Sequence, residues 1–197
     1  PFDYNDRTYK EYKEKMPQFI GQAVYIYSFK KERMLFANGW EELLGFKDEE
    51  ITLLKIISIT SERHFKFSNE LNDKSLRFLK NIKKDLEKYS FTIEVEKKHK
   101  NGEIIPLFSR VGIYKSDKGE ISEVIGISER IHSRKLGKIM QYAAFGPEKS
   151  KFEESLNIQL FNQLAISRKE KEALELAAKG YAFKEIADKL NVSQSAI

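Results

Sequence analysis

The eight residues YSFTIEVE, 89 to 96, restrict the fold more than any other stretch of this 197-residue chain. Tyr89, Phe91, Ile93 and Val95 alternate with Ser90, Thr92, Glu94 and Glu96, which predicts a strand with one face buried and the other wet. KHKNGEIIPLF follows, and its Asn101-Gly102 pair suits the two positive φ angles of a tight type I′ hairpin. A second strand is therefore expected through about 104 to 115. SDKGE (116–120) then turns it into a third, ISEVIGIS (121–128). Three consecutive hairpin-linked strands commit the chain to an antiparallel sheet that needs a hydrophobic cover on one side.

Further strands come earlier. AVYIYSF (23–29) and MLFAN (34–38) are rich in β-branched and aromatic residues and are separated by KKER, the pattern of another hairpin. NGWEELLGF switches to helical spacing, with Leu43 and Leu44 on one face and Gly45 as a C-terminal stop. Residues 48 to 88 lack strand alternation and read as helices and loops. The best of them is NELNDKSLRFLKNIKKDLEK, where Leu71, Ser75, Leu79 and Ile82 would share a face. A short helix is expected over 4 to 16, closed by Pro17, with Tyr4, Tyr9 and Tyr12 available to pack it on a neighbour. From about 130 the chain reads helical and basic, and FGPEKSKFEES (145–155) marks a break before a further helical region.

The expectation is an α+β fold: a five-stranded antiparallel sheet with flanking helices, then a small all-α domain. Its parts would be an N-terminal helical segment (1–19), a β-rich domain (20–130), a helical linker (131–160) and a C-terminal helical domain (161–197). The balance of 41% hydrophobic and 33% charged residues belongs to a globular protein, not a disordered one. A net charge of +5 favours a polyanionic partner only mildly and does not by itself show nucleic-acid binding. There is no cysteine, which excludes disulfides, thiolate metal sites and covalent thiol chemistry. No run approaches eighteen apolar residues, and the first twenty are charged where a signal peptide is apolar, so a soluble, cytoplasmic protein without membrane association is expected.

Residues 20 to 135 resemble a PAS domain. The likeness rests on YIYSF…MLFANGWEELLGFKDEEI, on HKNGEIIPLFSRVGIYKSDKGEISEVIGIS, and on the order of strands between them. Asn38 to Glu50 looks like the family's asparagine, amphipathic helix, Leu-Gly-aromatic and acidic run. Where many PAS domains close on Asp-Ile-Thr, this chain has Arg130-Ile131-His132, which puts the usual carboxylate relay in doubt. The resemblance implies a sensor or dimerisation module. Flavin or coumarate attached through a thiol is excluded by the absence of cysteine. Haem needs an axial ligand, commonly His, and is not expected. Only His64 lies in the helical middle, and its charged neighbours in SERHF place it at the surface; His99 flanks a polar hairpin and His132 an exposed helix start. PAS pockets are lined by sheet-facing aromatics, so Tyr25, Tyr27, Trp40 and Phe91 are the candidate contacts for a non-covalent small molecule. Core filling by the same four rings is the stronger expectation.

At the C-terminus, ISRKEKEALELAAKG (166–180) opens with Ser167 and Glu170 at capping-box spacing. Leu174, Ala177 and Ala178 make an apolar face, and Gly180 ends the helix. FKEIADKL forms a second helix. Asn191 tolerates the positive φ of a turn, Val192 plugs it, and Ser193 can cap a third helix beginning QSAI. Ala187 at the fifth place, counted from Phe183, allows the close crossing that a helix-turn-helix requires. SRKEKEALELAAKGYAFKEIADKLNVSQSAI is similar to the DNA-binding domain of LuxR/GerE-type regulators, with Ala196 where that family usually has Thr. The family's recognition helix runs on for about two more turns, so the chain is expected to be a truncated piece. Lys184, Ser193, Gln194 and Ser195 are the candidate DNA contacts, placed to meet phosphates at helix N-termini. Six basic against five acidic side chains over 166 to 197 give no strong electrostatic footprint.

Together these readings imply a homodimeric, DNA-binding transcription regulator with a PAS sensory domain. The alternative is a PAS-based interaction or oligomerisation module without direct DNA binding. No Gly-rich phosphate loop, nucleophile elbow or metal-ligand spacing is present, and enzymatic activity is not expected.

Overall fold

The computed structural model describes residues 4–17, 19–132, 136, 140–163 and 168–193. The chain divides into two compact units, 1–160 and 161–197.

In the first unit, helix α1 (Arg7–Lys15) is capped by Asp6, whose carboxylate accepts from the Thr8 N–H at 2.8 Å, and Met16 turns extended before Pro17. Strands β1 (Gln22–Ser28) and β2 (Arg33–Asn38) form the expected hairpin, with Val24 opposite Asn38 and the register slipping between Ile26 and Tyr27. Gly39 follows at φ +83°, where a Cβ would lie 2.3 Å from the Gln22 carbonyl oxygen; the turn into helix α2 (Trp40–Leu44) therefore requires glycine. The Asp48 carboxylate anchors that turn by accepting from the Trp40 N–H at 2.9 Å. Helix α3 (Leu53–Ser58) is capped by Thr52, and the long helix α4 (Glu62–Lys80) follows.

The remaining strands are β3 (Ser90–Lys98), β4 (Ile104–Asp117), β5 (Glu120–Arg130) and β6 (Tyr142–Phe145). All pairings are antiparallel, in the order β2-β1-β5-β4-β3-β6. Phe91, Ile93 and Val95 of β3 lie opposite Val111, Ser109 and Leu107 of β4, so one face of the sheet is continuous across these strands. The residues of α4 that turn inward, Phe67, Leu71 and Leu79, recur at helical spacing and are buried. On the opposite face α1 lays Tyr9 against Phe36 and Tyr12 against Tyr114, with ring centroids 5.6 and 5.5 Å apart. The unit is mixed α+β, with an antiparallel sheet and flanking helices as expected.

Four expectations change. Among the described residues the sheet has six strands, not five. Tyr142–Phe145, expected within a helical linker over 131–160, pairs with Ser90–Ile93 and covers the edge of β3; helix α5 (Lys149–Gln163) starts only afterwards. The Asn101-Gly102 turn is not type I′, because Gly102 alone has positive φ and the Asn101 side chain instead accepts from the Glu103 N–H at 2.9 Å, closing a five-residue loop. The two successive positive φ angles occur at Lys118 and Gly119, between the paired Asp117 and Glu120. Finally, α4 stops at Asn81, so Ile82 does not share its buried face.

In the second unit, helix α6 (Arg168–Ala178) and helix α7 (Phe183–Leu190) are joined through Gly180, at φ +85°. Glu185 accepts from the Ala182 N–H at 2.8 Å at the start of α7. Asn191 adopts φ 52°, ψ 51°, and the Val192 N–H reaches back to the Ala187 carbonyl at 3.0 Å, closing the helix with a left-handed cap. Ile186 and Ala187 are buried. The face expected from Leu174, Ala177 and Ala178 is exposed instead, and among the described side chains of α6 Glu172, Ala173 and Leu176 are half-buried. The cap expected of Ser167 and the third helix lie outside the described residues.

Candidate functional site

Between the inner face of the sheet and helices α3 and α4 lies a cavity of about 160 Å³. Its walls are predominantly apolar: Phe91, Ile93 and Val95 from β3, Ile56 and Ile57 from α3, and Leu79 from α4. A void of this size inside a packed core is unusual, because interiors normally close around anything much larger than a water molecule.

Three of the four aromatic candidates are at this cavity. Tyr25, Trp40 and Phe91 line it and are buried. The Trp40 indole N–H donates to the Val24 carbonyl at 3.0 Å, so this ring is a fixed wall. Burial pushes the Tyr25 phenol up to about 12, which keeps it a neutral hydroxyl. Opposite Tyr25 stands Gly126, where a Cβ would fall 2.0 Å from the ring; glycine is what lets the tyrosine lie across the sheet. Tyr27 is the exception. It sits near the end of β1, beyond the register slip, half-buried and edge-on to Phe29 at 5.3 Å, and does not line the cavity.

The polar features of the cavity were not anticipated from sequence. Lys97 continues the inward series of Phe91, Ile93 and Val95, lines the cavity and is only 6% exposed. Its Nζ donates to the Ile56 carbonyl and to Thr60 Oγ1, each at 2.7 Å, and among the described residues it makes no ion pair. Burial alone lowers this amine to about 7, so an appreciable fraction is uncharged near neutrality. Ser109 and Ser128 face each other across β4 and β5 with hydroxyls 2.8 Å apart. Ser75 on α4 is buried, lines the cavity and, among the described residues, has no hydrogen-bond partner for its Oγ. Leaving a hydroxyl so costs about 1–3 kcal/mol, which a bound acceptor or donor would recover.

His64 overturns an expectation: it is fully buried, not at the surface. The charged neighbours Glu62 and Arg63 misled, because a helix turns about 100° per residue and His64 falls on the same stripe as Phe67, Leu71, Ser75 and Leu79. Its Nδ1 accepts from the Glu96 N–H at 3.0 Å, which ties the start of α4 to β3, and it does not line the cavity. Among the described residues no group of three or more His, Cys, Asp or Glu is placed to hold a metal ion. Of the candidate DNA contacts, Lys184 is exposed on the first turn of α7 and Ser193 is exposed beyond its cap, whereas Gln194 and Ser195 lie outside the described residues. No helix among the described residues is long and apolar enough to cross a membrane.

No family model matches the chain, and no curated protein does. Solved structures do. The PAS domain of a protein from Colwellia psychrerythraea is 16% identical over 64% of this chain and 98% of its own, with a TM-score of 0.47. The LOV domain of the Erythrobacter litoralis EL346 blue-light activated histidine kinase is 12% identical over 57% of this chain and 98% of its own, with a TM-score of 0.46. The phage VqmA-DPO complex is 14% identical over 95% of this chain and 78% of its own, with a TM-score of 0.39.

Proposed function

We propose that the chain is a cytoplasmic transcription regulator that binds a small, mostly apolar molecule in its PAS-like unit. Its C-terminal unit would act as a LuxR-type helix-turn-helix on DNA. The observation that carries the sensory half is the cavity with the Lys97 amine and the Ser75 hydroxyl in its wall: apolar on most sides, with two polar groups that fix orientation. The ligand class is a compact molecule with an apolar body and at least one hydrogen-bond acceptor. In this reading the protein is a receptor and not an enzyme, and it works as a homodimer.

Support for the DNA-binding half comes from the C-terminal unit. Buried Ile186 and Ala187, the left-handed Asn191 and the Val192 closure are the features by which two short helices meet at a tight turn. Lys184 is exposed on the first turn of α7, where a phosphate contact is sterically open. Exposed Leu174 and Phe183 favour the second reading, in which these helices dock on a protein partner.

Native mass spectrometry of the purified chain, followed by analysis of whatever denaturation releases, tests the sensory half; DPO is a practical first probe. A cavity that takes no compact amphiphile at millimolar concentration refutes it. The DNA-binding half is tested on the native protein. Binding to promoter fragments should weaken steeply with salt and fall when Lys184 is replaced. Binding that survives replacement of every recognition-helix side chain refutes it, and retention by a protein partner with no DNA affinity favours the second reading.

A further inference from the structure

The geometry points to Lys97 as a covalent carbonyl-capture site, at which a small aldehyde or ketone entering the cavity is held as a reversible Schiff base. The inference rests on the cavity being a ligand site and adds the chemistry of capture.

An amine becomes a nucleophile only in its uncharged form, and exposed lysines are almost wholly protonated near neutral pH. Lys97 is placed differently. Its stem crosses an apolar wall, it has no carboxylate partner among the described residues, and its Nζ is held by two neutral acceptors, the Ile56 carbonyl and Thr60 Oγ1. An uncharged amine has two N–H bonds, and these two contacts use both. The remaining lone pair is the only feature of Nζ left for a molecule in the cavity. Holding the amine by its hydrogens also removes the rotational freedom that a flexible lysine would otherwise lose on reaction.

The step balances without a co-reactant. The Nζ lone pair attacks the carbonyl carbon while the carbonyl π electrons move to oxygen. A proton passes from nitrogen to that oxygen, with the Thr60 hydroxyl beside Nζ placed to relay it, giving a carbinolamine. The C–O bond then breaks, the oxygen leaves as water carrying the second nitrogen proton, and a C=N bond remains. Nothing is oxidised or reduced, and water reverses the reaction. The apolar walls, among them Phe91 and Ile93 on the strand that carries Lys97, favour this loss of water and suit a short alkyl or aryl body.

The test is reductive trapping on the full chain. Butanal and cyanoborohydride are added near neutral pH at limiting extent, and the labelled lysines are mapped by peptide mass spectrometry. Lys97 should take the first label, on the order of tenfold ahead of any exposed lysine. In Lys97→Arg, with folding checked by circular dichroism, the fast label should disappear and only slow surface labelling remain. Labels spread evenly over exposed lysines, or an unmodified Lys97, overturn the inference. Butan-1-ol, which cannot form an imine, separates the two levels of the argument through Trp40 fluorescence. Occupancy by the alcohol without an adduct from the aldehyde sinks capture alone, whereas no occupancy by either sinks the ligand-site reading with it.

Discussion

Replacing Lys97 by methionine removes a charge that the folded state can scarcely accommodate while keeping much of the side chain's volume. The folded amine titrates at about 7 because burial disfavours its charged form, whereas in the unfolded chain it stays protonated to about 10.4. Across that window the unfolded state binds more protons than the folded one, so stability rises with pH; it is lost as pH falls, until the folded amine itself takes up a proton. Integrating the difference between about pH 7 and about pH 9 gives a gain of about 2 kcal/mol from this one group. Lys97→Met lacks it. Urea unfolding of both proteins at several pH values should therefore show the wild type gaining about 2 kcal/mol on the variant over that interval, with all shared titrations cancelling. At the lower pH the variant should be at least as stable as the wild type, although the Ile56 carbonyl and Thr60 hydroxyl lose their donor. A pH-independent difference between the two would show that Lys97 is charged and solvated in the folded protein, and would remove the basis for both roles given to it.

Gly126→Ala should cost about 1–3 kcal/mol, because the new methyl meets the Tyr25 ring at 2.0 Å and must drive it toward the cavity; chemical denaturation and a loss of ligand occupancy would be read together. Phe152→Ala removes a fully buried ring stacked on Phe78 at 4.8 Å and should cost about 3–5 kcal/mol, seen as a lowered urea midpoint. At Asn191, valine should weaken the closure of α7 by about 1–2 kcal/mol while glycine is tolerated, because the site has φ 52°; loss of helical circular dichroism on heating separates the two.

The central strands were legible because alternation in YSFTIEVE and the β-branched runs around it encode which side chains face the helices. The same parity carried one step past Val95 reaches Lys97, so the buried amine was written in the pattern as a charge on an apolar face. His64 is likewise encoded by the 3.6-residue period it shares with Phe67, Leu71 and Leu79, which outweighs the charge of Glu62 and Arg63 beside it. Strand β6 was not legible. YAAF has two alanines and too few residues to show a period, and it becomes a strand only because β3 offers an open edge. Tyr27 keeps the parity of Tyr25 and stands opposite Val124 in unbroken register with β5, but it lies half-buried against Phe29 and not at the cavity, which alternation alone does not report.

The stacking of Phe152 on Phe78, with Tyr89 edge-on to both, has a mechanical consequence. Leu79 and Tyr89 are wall residues of the cavity, while Phe152 belongs to the helix that leaves the sheet. An occupant that spread α4 from the strands would have to shift that aromatic triplet, which ties the packing of the foot of α5 to the width of the cavity.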